Sequence, residues 1–164
     1  SSTAWCLLPK PALILCVPAD SVNTYSTIRP LKRPRHTMPE SPYDRLGGDA
    51  AVRRLVDRFY DRMDATPEYH VIRKLHPADL AGSRDKLYLF LSGWLGGPPL
   101  YAEKYGHPML RARHLPFAIG IAERDAWLAC MGEAMAECGI EAGLRTGLMD
   151  SLFKTADWMR NREG

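Results

Sequence analysis

The sequence lacks any apolar run of eighteen residues, the length a membrane-spanning helix needs, so no such helix is expected. It has no Cys-x-x-Cys pair. Its cysteines, Cys6, Cys16, Cys130 and Cys138, are scattered, which argues against a zinc site and more strongly against a disulfide framework. Free thiols in a reducing cytoplasm are the expected state. Charge of one sign is also scarce. A net charge of +3 over 164 residues is too small to point to nucleic acid. No segment alternates with period two, and no turn dipeptide joins two β-branched runs, so strands are not expected. No flavin or nicotinamide motif is present, and any redox turnover would need an outside reductant. Nearly half of the residues are hydrophobic, enough for one cored domain, with or without a tail.

Residues 1–37 differ from the rest. Prolines fall at Pro9, Pro11, Pro18, Pro30 and Pro34, and no helical periodicity appears. Ala12 to Val17 is apolar but far too short to cross a bilayer. Lys10, wedged between two prolines, stands where a secretory signal would carry a longer apolar core. The basic run Lys32-Arg33-Pro34-Arg35-His36 reads as a solvated linker. The first methionine is Met38, just ahead of the patterned region. Residues 1–37 are therefore expected to be a disordered or non-native extension, and residues 38–164 the folded domain.

From Glu40 onward the pattern is helical. Asp49 is placed to cap a helix whose apolar positions are Val52, Leu55, Val56, Phe59 and Met63, one stripe at spacings of three and four. Pro67 ends it, and residues 67–79 read as a short irregular connection. A second stripe follows at Leu80, Leu87, Phe90, Leu91 and Trp94, stopped by Gly96-Gly97-Pro98-Pro99. Residues 98–119 hold four prolines, Pro98, Pro99, Pro108 and Pro116, so the span predicts mostly loop, with at most a turn or two of helix. A third helix starts near Glu123, buries Trp127, Leu128, Met131 and Met135, and closes at Gly139. A fourth spans Glu141 to Arg162, with Leu144, Leu148, Leu152, Ala156 and Met159 on one side. The expected fold is an all-α domain of four main helices.

The proline-broken loop is unusual in a small helical domain, and loops of that length are commonly functional. It carries Gly106-His107-Pro108-Met109-Leu110-Arg111-Ala112-Arg113-His114-Leu115-Pro116-Phe117. His114 follows an Arg-x-Arg pair, and Pro116 limits it to a short, rigid turn of helix. Two cations beside one imidazole suit a ligand that is partly anionic and also needs an axial nitrogen. Haem has both features. Taken alone, a histidine between arginines reads more readily as an ordinary surface residue on a basic turn, and the rest of the chain has to decide between the two.

Several segments together resemble the truncated haemoglobins of group II: Gly47-Gly48, Phe59-Tyr60, Gly96-Gly97-Pro98, Gly106-His107-Pro108, Arg111-Ala112-Arg113-His114-Leu115-Pro116-Phe117 and Glu123-Arg124-Asp125-Ala126-Trp127-Leu128. Order and spacing match over about Ser41 to Arg162. The resemblance implies a globin-like two-over-two helical sandwich around one haem b. It puts the iron-linked histidine at His114 and the distal, ligand-facing residues at Tyr60, His76, Ser83 and Trp127. His76 stands where the family often has an aromatic, and Leu95 where many relatives have tryptophan. The implied ligand is dioxygen, with nitric oxide, carbon monoxide and peroxide as alternatives. An unidentified reductase would be needed for turnover, since the chain lacks a flavin or nicotinamide motif; a homodimer stays open, and neither nucleic acid nor membrane is an expected partner.

The same residues have a physical reading. Nε2 of His114 would supply the nitrogen, and its Nδ1–H would donate to a backbone carbonyl one turn back. Lys86, Arg111 and Arg113 would pair with the propionates, helped by Tyr101 or His107. Leu87, Phe90, Leu91 and Phe117 would pack on the porphyrin, though each is equally a plain core residue. Without the resemblance, Tyr60 reads more readily as a core ring with its hydroxyl at the surface, and Trp127 poses the same question. If both point into one cavity with His76, as the resemblance implies, three donors would converge on a bound ligand. Slow oxygen release is expected from such a pocket. The rival readings are a haem enzyme, peroxidase-like or detoxifying nitric oxide, and a helical interaction domain with no cofactor.

Overall fold

The computed structural model describes residues 39–163; the extension expected at residues 1–37 lies outside them. Ser41 starts the fold. Its hydroxyl accepts from the Asp44 amide at 3.2 Å, and the Asp44 carboxylate accepts from the Ser41 amide at 3.3 Å. With Pro42 at the first helical position, this capping box makes α1, Pro42–Leu46. Gly47 (φ 107°) closes α1, and Gly48 (φ 73°) precedes α2, Asp49–Ala65. Both lie in the left-handed half of φ space, where a side chain is strained. Asp49, the expected cap, is instead the first residue of the helix, and its carboxylate accepts from the Tyr88 hydroxyl. The predicted stripe is correct: Val52, Leu55, Val56, Phe59 and Met63 are each at most 1% exposed. Full burial of one such side chain is worth about 1.5–3 kcal/mol, so this face alone anchors the helix.

The connection after α2 is more ordered than the sequence implies. Pro67 pushes Thr66 to extended backbone and ends α2. A 3₁₀ turn, Pro67–Tyr69, and α3, His70–Arg73, follow at once. Arg73 then clamps the rest. It donates to the Asp64 carboxylate at 2.7 Å and to the Pro77 and Ala78 carbonyls, each at 3.0 Å. Next comes α4, Ala81–Trp94, and the paired glycines after it meet α1. A Cβ at Gly97 would come within 2.4 Å of the Tyr43 ring, so only glycine lets α1 lie there.

Two short helices occupy the proline-rich span: α5, Leu100–Tyr105, and α6, Leu110–His114. The third main helix, α7, is Ile121–Glu137. Glu123 is its third residue, not its start, and accepts from the Gly120 amide at 2.9 Å. The last helix, α8, is Ala142–Trp158, shorter than the stripe to Arg162 predicts. It stops because the Asn161 and Arg162 amides both turn to the Ile119 carbonyl, at 2.9 and 3.1 Å. The main helices pack α2 with α4 and α7 with α8, and α2 lies against α7, the two-over-two all-α arrangement. No strand, and no helix long and apolar enough to cross a membrane, occurs among the described residues.

Candidate functional site

The helices enclose a cavity of about 560 Å³, within the range of small-molecule and cofactor sites. Tyr60 reaches it from α2, His76 from the connection after α3, and Ser83, Lys86, Leu87, Phe90 and Leu91 from α4. Tyr101 enters from α5, Arg113 and His114 from α6, Phe117 from the loop beyond, and Trp127 from α7.

His114 is the last residue of α6 and is half-buried. Its Nδ1 lies 2.7 Å from the Leu110 carbonyl oxygen. A carbonyl only accepts, so Nδ1 carries the hydrogen, which leaves Nε2 as the nitrogen able to offer a lone pair. That is the state in which an imidazole binds a metal. The backbone around it is held from outside. The Asn161 side chain donates to the His114 and Phe117 carbonyls at 3.2 and 2.8 Å and accepts from the Ile119 amide at 3.1 Å.

Tyr60 is buried, and its ring meets those of Phe59 and His76 edge-on at 5.1 and 5.6 Å. Burial raises its pKa well above the ordinary phenol, while the Arg84 charge and a hydrogen bond with Ser83 pull the other way. Tyr60 therefore keeps its proton and remains a donor. Trp127 stacks at a tilt on Phe59, 5.2 Å away, with an indole N–H that only donates.

His76 differs from its expected role. Its Nδ1 lies 2.9 Å from the Ile72 carbonyl, so the hydrogen sits on Nδ1. Burial lowers its pKa, which keeps the ring neutral. A neutral ring of this tautomer turns an acceptor, not a donor, to anything else it meets.

Two of the sequence-predicted residues are not brought to the cavity. Arg111 turns away and donates to the Trp158 and Arg160 carbonyls at the end of α8, with its guanidinium 5.9 Å from the Trp158 ring. His107 accepts from the Met109 amide at 3.1 Å and so ties up its own turn. There Met109 has a positive φ of 47°, strained for a side-chain-bearing residue. Arg113 stays at the cavity, steadied by a 3.0 Å bond to the Pro108 carbonyl.

Sequence reasoning missed Arg124 and Thr155 as lining residues. Arg124 pairs with Asp125 and Asp157, and a cation between acids reads as surface. Thr155 shares a face of α8 with Leu152 and Ala156, and these line the cavity together with Met159 just past the helix end. Their stripe was legible as buried, but periodicity does not say against what.

The sequence profile of the family described as bacterial-like globin matches residues 41–161. The chain is 44% identical over 122 residues to the group 2 truncated haemoglobin YjbI of Bacillus subtilis, a stretch covering 74% of this chain and 89% of that protein. The solved group II 2-on-2 haemoglobin of the plant pathogen Agrobacterium tumefaciens superposes with a TM-score of 0.74 at 47% identity, covering 79% of this chain and 99% of that one. The solved oxygen-avid truncated haemoglobin of Bacillus subtilis gives a TM-score of 0.69 at 44% identity, with coverage of 74% and 100%.

Proposed function

The chain belongs to the bacterial-like globin family, as a group II truncated haemoglobin, and on that premise we propose that it holds haem b through His114 and binds dioxygen reversibly with slow release. Family membership carries a haem cofactor and a diatomic gas as ligand. The residues fit that cofactor. When bound, haem supplies an iron with one protein nitrogen and an open position for a gas. The observation that carries the proposal is His114 itself: a half-buried imidazole with Nδ1 committed to Leu110, in one cavity with Tyr60 and Trp127.

Lys86 and Arg113 are the lining cations available to the two propionates, because Arg124 is already paired. Leu87, Phe90, Leu91 and Phe117 supply apolar walls. Tyr60 and Trp127 are donors toward a ligand that carries partial negative charge. A hydrogen bond of that kind is worth about 1.5–3 kcal/mol. One bond therefore slows ligand loss by roughly tenfold or more. The oxygen-avid character of the Bacillus subtilis relative agrees with this reading. Free thiols at Cys130 and Cys138 support a reducing, cytoplasmic setting, with a reductase on another chain.

The test is direct. The purified chain, or the chain reconstituted with haem, should show a strong Soret band near one haem per chain, and stopped-flow displacement should give a slow oxygen off-rate. Absence of the band after reconstitution rejects the proposal.

A further inference from the structure

His76 is an acceptor in a cavity where dioxygen needs donors. Its Nδ1–H is spent on the Ile72 carbonyl at 2.9 Å, and Nε2 is the nitrogen left for the cavity it lines. The ring is held neutral chiefly by burial; the Arg73 charge and the His114 ring act in the same sense, and the bond to Ile72 acts against it. The Arg73 clamp on Asp64 and on the Pro77 and Ala78 carbonyls fixes the backbone to either side of the histidine. Tyr60 stands edge-on beside it at 5.6 Å, so donor and acceptor are neighbours on one wall. Dioxygen, nitric oxide and carbon monoxide bring no proton to such an acceptor. A small weak acid does.

We propose that His76 is the base through which this cavity captures small protic ligands, H–X, as their anions; hydrogen cyanide, hydrogen sulfide and hydrogen peroxide are of this class. The proposal rests on haem held by His114. In the step, the H–X bond breaks, its electron pair stays on X, and the proton passes to the Nε2 lone pair of His76. X⁻ is the form that a ferric haem held by His114 would take up. Nothing is oxidised or reduced. His76 becomes an imidazolium whose Nε2–H donates a charge-assisted bond to X⁻, while Tyr60 and Trp127 remain as donors to the same anion. The burial that disfavours a lone imidazolium is offset by the anion formed beside it.

The experiment uses the full chain loaded with haem, with cyanide as probe at neutral pH, where it is present as hydrogen cyanide. His76→Phe and His76→Gln should both slow cyanide association to the ferric protein by about 100-fold, the low end of what a positioned base contributes. Glutamine still accepts a hydrogen bond but does not take up a proton, so its failure to rescue separates the two roles. Carbon monoxide association to the ferrous protein moves no proton, so in each variant it should shift by far less than cyanide association does, and the ratio of the two rates is the readout. Imidazole ¹⁵N–¹H correlation spectra of the haem-free chain and of its ferrous carbon monoxide form should show His76 protonated at Nδ1 only. Equal cyanide rates in all three proteins, at full haem content, would overturn the inference and leave the haem reading standing. So would a hydrogen on Nε2, or a low-spin ferric spectrum that His76→Phe abolishes, which would make His76 an iron ligand. A chain that takes up no haem would fail the haem reading instead, and the tautomer in the haem-free chain would still decide whether His76 is an acceptor.

Discussion

Two connections, residues 66–80 and residues 95–120, each bring a histidine to the cavity, and they hold it by different means. Both imidazoles sit four residues beyond the carbonyl that takes their Nδ1–H. The first connection is braced from within. One side chain, Arg73, binds two of its carbonyls and the end of α2. The second has an internal bond of its own, from Arg113 to the Pro108 carbonyl, but the backbone at its histidine is braced from without, by Asn161, and Arg111 reaches the end of α8. The placement of His76 is therefore a local matter. The placement of His114 depends on how residues 158–162 close against the loop before α7.

The harshest way to break this comparison is to remove the second histidine. His114→Ala should leave the haem weakly held, with most of it lost on purification, as read from absorbance per chain. Full haem with an unchanged ferrous spectrum would hand the role to another histidine, of which His76, the other histidine lining the cavity, is the first to test. A finer cut removes the braces. Asn161→Ala deletes three side-chain hydrogen bonds. At roughly 1 kcal/mol each, it should lower unfolding stability by about 2–3 kcal/mol. It should also speed haem transfer to an acceptor apoprotein. Arg73→Met should cost a similar amount of stability in urea unfolding, yet leave haem transfer unchanged. If both variants shed haem equally fast, the two braces are not distinct.

Smaller effects come from the donors. Trp127→Phe keeps an aromatic of similar shape and deletes one N–H. Oxygen dissociation should quicken by about tenfold, the equivalent of ~1.4 kcal/mol, with association changed less. Tyr60→Phe should act in the same direction, and the double variant should fall short of the product because both donors serve one ligand. Unchanged off-rates throughout would remove both side chains from ligand binding. The smallest effect is expected from the extension: a chain lacking residues 1–37 should keep its haem content and melting temperature. A clear loss of either would mean that those residues pack on the domain.

The legibility of these features in the sequence followed their physics. The α2 stripe was readable because a helix with one buried face repeats its apolar residues at three and four, and Val52 to Met63 do so without interruption. Helix α1 was not, because five residues hold no period and its cause is a capping box plus the Tyr43 ring over Gly97. The Arg73 clamp was hidden because it is a bond to carbonyls, and backbone groups leave no mark in a sequence. At the site, residue type was readable and direction was not. Arg111 and Arg113 are two apart on one short helix, and only Arg113 faces the cavity. His76 was legible as polar, but its tautomer is set by the Ile72 carbonyl and needed coordinates to see.

Behind the aromatic wall lies Cys130, fully buried, with its Sγ donating to the Phe59 carbonyl at 3.4 Å. Burial pushes its thiol up to about 12; the Arg62 charge pulls the other way, and the Glu133 and Glu137 charges act with burial. The reactive form of a cysteine is the thiolate, and at neutral pH such a group is ionised on the order of one part in 10⁵. A protein that binds oxygen exposes its own sulfur to oxidants. Here the sulfur under Phe59, the ring on which Trp127 leans, is kept in the form that oxidants attack most slowly, so the pocket wall should outlast many encounters with its own ligands.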